Sequence, residues 1–237
     1  MSAVAQNRCV LCGIRPATSR EHIPPESFFE RPYPPNLITV PACDPCNQGT
    51  QSDDDYVRAF FATLDHAGAV PTLDSVRNRV RRGLLRPEHP GLRVRLIASS
   101  AVVRRFTGTP TPEYQVVTAE IRPEGERILN WMRKQVRGLA YHVTGQLIPR
   151  STCIGLERTY FMHTQPPEYW ELWVKGGEYA LKGRTGFIGD VFRYAYRDVD
   201  RSSCTAALRL EFYGVFSFTA LIFRADFAPP QRVRFPF

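Results

Sequence analysis

Two Cys-x-x-Cys pairs, Cys9/Cys12 and Cys43/Cys46, stand 30 residues apart near the start of the chain. Nothing else in the sequence restricts the local fold so strongly. Each such turn presents two sulfurs to one point, and four soft ligands in a tetrahedron are the shell that structural zinc takes. The 30 intervening residues are enough for two strands and a loop, so both turns can close on one ion. In a reducing compartment, paired Cys-x-x-Cys motifs read as metal ligands rather than as disulfides. Cys153 and Cys204 stand outside the pairs and read as small buried side chains. Little apolar material lies between the pairs, so the ion is expected to contribute most of this segment's folding energy.

The remaining bounds are ordinary. A chain of 237 residues with 43% hydrophobic and 23% charged side chains can bury a real core. No apolar run approaches the roughly 18–20 residues needed to span a bilayer. Met1 to Arg8 carry no apolar stretch of the signal-peptide kind, so a cytoplasmic address and no membrane partner are expected. The net charge of +8 is unevenly spread: five basic and eight acidic side chains fall within the first 70 residues, 26 and 15 after them. An acidic small module (−3) therefore adjoins a basic body (+11), which suggests a polyanionic partner held by the body. The competing explanation is compositional bias, since 28 of the 31 cations are arginine.

The chain divides into a module with its following helix, 1–70, and a basic α+β segment, 71–237. Within the module, Thr18–Ile23 and Asn36–Val40 read as strands, and Asp44-Pro45 as a helix start with Asp44 as N-cap. Ser52 is expected to cap a second helix, with Asp53, Asp54 and Asp55 suiting its positive end; Tyr56, Val57, Phe60, Phe61 and Leu64 form its apolar face. A third helix is predicted over Thr72–Leu85, and a long one from Glu124 to about Thr144, closed by Gly145. Strands are predicted at Leu92–Ala98, Val102–Phe106, Tyr114–Ile121, Thr159–Met162, Tyr169–Val174, Phe187–Tyr196, Ala206–Phe212 and Val215–Phe223. Fold class is thus α+β: a zinc-stabilised unit followed by a mostly antiparallel sheet packed on a long helix.

The order Glu21-His22-Ile23-Pro24-Pro25, Asn36-Leu37-Ile38-Thr39-Val40-Pro41, Cys43-Asp44-Pro45-Cys46-Asn47 resembles the HNH nuclease motif. The resemblance covers residues 9 to about 52 and implies a ββα-metal module. It implies His22 as the general base, Asn36 as the residue that braces the loop and orients the histidine, and Glu21 and Asn47 as ligands of a catalytic Mg²⁺ or Mn²⁺. Glu21 stands where the family often has aspartate, and Asn47 where it often has histidine.

The chemistry asks for those residue types on its own terms. A neutral imidazole takes a proton from water near neutral pH, and a hard cation bound through oxygens offsets charge on the phosphate. Expected is a metal-dependent DNA endonuclease, with defence against foreign DNA as an analogy and a homodimer or partner protein for double-strand cutting. The alternatives are a non-catalytic zinc-containing module that binds nucleic acid or protein, and an enzyme that cuts RNA. Nine arginines between Arg77 and Arg105 face a single acid, Glu88. Arg77, Arg79, Arg81, Arg82, Arg104 and Arg105 are the candidate phosphate grip, extended by Arg127, Arg133, Lys134 and Arg137; a solvated face is the plain alternative. Trp131, Trp170 and Trp173 could stack bases but suit a core better.

Overall fold

The computed structural model describes residues 7–63, 71–84, 90–98, 100–106, 115–121, 123–158, 178–199, 204–214, 216–224 and 226. It begins with a hairpin of β1 (Ser19–Ile23) and β2 (Ile38–Ala42), antiparallel with His22 opposite Thr39 and Ile23 opposite Ile38. Alternation sorts its side chains. Glu21, Ile23, Ile38, Val40 and Ala42 are buried, whereas Arg20, His22, Thr39 and Pro41 line the outer face. A short helix, α1 (Asp44–Gly49), follows directly. Its N-cap is Cys43 rather than the expected Asp44, whose backbone N–H is instead taken by Thr18 Oγ1 at 3.1 Å. The strand, strand, helix order expected of the module is present.

Helix α2 (Gln51–Thr63) buries Tyr56, Val57, Phe60 and Phe61 as its spacing predicts, but it starts before Ser52, so Ser52 lies inside it and is not its cap. Helix α3 (Pro71–Leu84) buries Leu73, Val76 and Val80. The strand predicted at Leu92–Ala98 is a helix, α4 (Pro90–Ala98). Leu92 and Leu96 are four apart, a spacing that serves a helix as well as period two, and Pro90 at the first position suits a helix start. Leu96 is buried, whereas Val94 and Ile97 are exposed.

Strands β3 (Ser100–Phe106) and β4 (Gln115–Ile121) pair as an antiparallel hairpin. The long helix α5 (Gly125–Thr144) ends on Gly145, whose φ of 70° closes it through an N–H to the Tyr141 carbonyl. The five remaining strands are β5 (Ile154–Arg158), β6 (Arg184–Ile188), β7 (Phe192–Asp198), β8 (Cys204–Phe212) and β9 (Phe216–Phe223). They form one antiparallel sheet in the order β5-β9-β8-β7-β6. The single strand predicted over Phe187–Tyr196 is a hairpin instead, turned at Gly189, which has φ of 51°. The strands predicted at Thr159–Met162 and Tyr169–Val174, with Trp170 and Trp173, lie outside the described residues.

One apolar core joins module and sheet. Phe28, from the loop between β1 and β2, stacks on Trp131 of α5 at 5.4 Å, and Phe61 of α2 stacks on Phe216 of β9 at 4.2 Å. Tyr213 donates its hydroxyl to the Phe28 carbonyl at 2.9 Å. Trp131 is therefore core, not a base-stacking platform. The module's own Val10, Ile23, Phe28, Phe29, Ile38 and Val40 all belong to this core. At about 1.5–3 kcal/mol for each large side chain buried, the body carries much of the stability that the sequence assigned to the ion. Helix α5 lies so close to β1 that a Cβ at Gly138 would come within 2.4 Å of Ile23. No described helix is long and apolar enough to cross a membrane.

Candidate metal centre and the hairpin it holds

The four thiols of Cys9, Cys12, Cys43 and Cys46 converge, with their sulfurs all within 4.8 Å of one another. A Zn–S bond of about 2.3 Å in a tetrahedron separates sulfurs by about 3.8 Å, which this spacing accommodates. Local geometry explains the convergence. Gly13, with φ of 69°, lets the first turn curl so that its N–H reaches the Cys9 carbonyl at 2.8 Å. Val10 N–H bonds the Pro41 carbonyl at 2.9 Å, which docks that turn on β2. The second pair opens α1, where the N–H groups of Cys46 and Asn47 both reach the Cys43 carbonyl at 2.9 Å.

The thiols do not titrate alike. Burial opposes ionisation of Cys12, yet N–H groups of Arg15 and Ile14 and the neighbouring thiols bring it down to about 6. Burial and the thiol of Cys43 push Cys46 well up, and burial also raises Cys9. Four thiolates this close repel one another unless a cation neutralises them, so the donor set fits a thiophilic metal such as zinc.

Across the hairpin, the residues implicated by sequence divide between two faces. His22 stands on the outer face, half-buried, with no hydrogen bond or ion pair to any described residue. Beside it, Arg20 reaches diagonally to Thr39, with bonds of 2.6 and 3.0 Å to Oγ1 and 3.2 Å to the carbonyl. Asn47 donates Nδ2 to Ser19 Oγ at 3.2 Å and to the Arg20 carbonyl at 3.1 Å. A carbonyl accepts only, so nitrogen must face β1, which leaves Asn47 Oδ1 without a described partner. Asn36 donates Nδ2 to the Phe187 carbonyl of β6 at 2.8 Å, so it braces the loop against the sheet.

Glu21 faces the other way. It is 4% exposed, and its Oε1 lies 2.8 Å from Lys134 Nζ on α5. That ammonium also contacts both carboxylate oxygens of Asp54, at 2.7 and 2.8 Å, and Thr50 Oγ1 at 3.0 Å. Burial outweighs the attraction of Lys134 and pushes Asp54 up to about 6. Asp54 lies in the first turn of α2 as expected and also makes a buried ion pair with Lys134, so Lys134 belongs to this cluster rather than to a phosphate-binding surface. Sequence alone does not reveal the pairing; the one available signal is a lysine one turn before Gly138 on the face of α5 that meets β1.

The candidate phosphate-binding arginines differ in their contacts. Arg77 bonds the Ala62 carbonyl at 3.2 Å and Asp74 at 3.0 Å. Arg127 is held by Asp53 and Glu124, Arg133 by Asn130, and Arg137 by the carbonyls of Ile148 and Pro149. Arg79, Arg81 and Arg82 make no ion pair among the described residues. Arg104 and Arg105 sit in β3, whose backbone alone is described. His142, on α5, is exposed, and His66, His89 and His163 are not among the described residues.

Compared with family models, with curated proteins and with solved structures, the chain returns no match.

Proposed function

We propose that the chain is an HNH-type endonuclease that hydrolyses DNA phosphodiester bonds, its N-terminal unit pinned by a structural zinc on Cys9, Cys12, Cys43 and Cys46. The observation that supports this reading is an unpartnered His22 on the outer face of β1, with Asn47 of α1 bonded to Ser19 and Arg20 of the same strand and its Oδ1 without a described partner, in a hairpin beside four converging thiols. His22 takes the proton from water as the water oxygen bonds to phosphorus and the bond to the leaving oxygen breaks. Arg20, clasped to Thr39 on the same face, places a guanidinium beside that histidine. Asn36 holds the loop between the strands in place through Phe187.

A divalent cation would offset charge on the leaving oxygen. Asn47 Oδ1 is available to it, but Glu21 is committed to Lys134, so the two residues do not fit a preformed two-ligand site. This pairing favours a second reading, a non-catalytic zinc module that binds nucleic acid. Cleavage of RNA with the same residues is the third.

Nicking of supercoiled plasmid with Mg²⁺ or Mn²⁺, then with EDTA, decides among them, with an RNA substrate in parallel. Cleavage abolished in His22→Ala, with circular dichroism and zinc content unchanged, is the expected result. Wild-type protein that binds plasmid and never nicks it establishes the second reading instead.

A further inference from the structure

A cleft of about 620 Å³ opens between α3 and the loop that joins β1 to β2. It is lined by Ser75, Asn78, Arg79, Arg81 and Arg82 of α3 and by Glu30 of the loop. Ser75, Asn78, Arg79 and Arg82 are spaced by three and four residues, so one helical face presents a hydroxyl, an amide and two guanidinium groups together. Two of the lining residues also carry a polar atom, Ser75 Oγ and Arg79 Nη2, that is buried beside the cleft without a hydrogen-bond partner. Leaving such atoms unmet is costly, by about 1–3 kcal/mol each and more for charged groups. Their neighbours do not neutralise them: Asp74 is taken by Arg77, and Arg81 and Arg82 have no described ion-pair partner.

We propose that this cleft binds one nucleotide unit, with its phosphate on Arg79, Arg82 and Ser75. Guanidinium groups and a hydroxyl are the donor set that phosphate oxygens take, and the fork of arginine suits two of those oxygens at once. Asn78 and Glu30 face the rest of the unit. A carboxylate repels phosphate but accepts hydrogen bonds from a sugar hydroxyl or a base amine, so the lining selects a nucleotide over a bare anion. The volume lies in the range of small-molecule sites, about 300–1,000 Å³. The unit comes either from a free mononucleotide or from a nucleic-acid strand. The choice of ligand class rests on the nuclease reading; occupancy of the cleft does not require cleavage.

The test is binding by the full chain carrying His22→Ala, which leaves a strand uncut. Anisotropy of a fluorescein-labelled single-stranded oligonucleotide is followed against salt, and UMP is titrated in a thermal-shift arm beside inorganic phosphate. Arg82→Gln, an exposed position, is expected to weaken binding about tenfold and to lower the salt slope by about 0.7, the value for one phosphate no longer neutralised. Arg79→Gln with Arg82→Gln is expected to weaken it further, and Arg193→Gln on β7 to leave it unchanged. Oligonucleotide binding that Arg82→Gln weakens and UMP does not mimic identifies a strand as the source; UMP binding abolished in Arg82→Gln identifies the free nucleotide. Either supports the cleft. Inorganic phosphate binding as tightly as UMP, or affinity and salt slope unmoved by Arg82→Gln, overturns it. Because cleavage is not measured, a cleft that binds in a protein that never nicks separates this proposal from the nuclease reading.

Discussion

The hairpin β1–β2 is fastened at two places that solve one problem in opposite ways. At the cysteine cluster, four sulfurs converge on a point that could hold a cation drawn from solution. At Lys134, four oxygens from Glu21, Asp54 and Thr50 converge on a cation that the chain supplies itself. A metal held at the first would be open to a chelator, whereas the second can be removed only by mutation. The first also depends on redox state and metal supply, whereas the second depends on pH. A module fastened both ways loses only part of its order when either one fails, since Phe28 and Phe29 still anchor it in the common core.

The largest expected effect is on the thiol side. Cys43→Ser, or treatment with a strong chelator, is expected to release any bound metal and to cut hydrogen-exchange protection of β1 and β2 at least about ten-thousandfold. Protection in β7, β8 and β9 is expected to persist. Equal loss in the sheet would mean that the two regions unfold as one unit.

Next is the ammonium. Lys134→Met leaves two carboxylates buried without their partner, and a loss of about 3–5 kcal/mol is expected in urea denaturation. A loss below about 1 kcal/mol would show that Glu21 and Asp54 find other partners or water.

The smallest effect is the pH dependence of the same cluster. Burial raises Asp54 from 3.8 to about 6, so the folded protein holds a proton that the unfolded chain releases. Stability from this group is therefore present at low pH and is lost as pH rises from about 4 to about 6, by up to about 3 kcal/mol. The urea midpoint of wild-type protein relative to Asp54→Asn should fall across that window. A relative midpoint that rises there would place the Asp54 proton on the wrong side of the equilibrium.

The same contrast explains what is legible in the sequence. The cysteine pairs, the module's strands and α1 depend on spacings within some forty residues, and α5 announces itself by a long apolar stripe ended at Gly145. Glu21 and Lys134 are 113 residues apart, and no local pattern links them. Adjacency in sequence suggests that His22 and Glu21 act as one functional pair, yet neighbours on a strand face opposite sides. Arg77 and Arg127 look like free cations because sequence shows charge, not the carboxylates and carbonyls that fold against it. Helix α4 mimics a strand because leucines four apart satisfy either period. The turn at Gly189 is hidden by the apolar residues that flank it on both sides.

The contact between Gly138 and Ile23 carries a consequence for how far the two ends of the polypeptide can drift apart during evolution. The absent side chain on the helix sets the seating depth of the strand that bears the imidazole. Even one added methyl there must displace the Ile23 side chain that packs against it. The position of Ile23, next to His22 on that strand, is therefore fitted to a residue more than a hundred positions further along the chain.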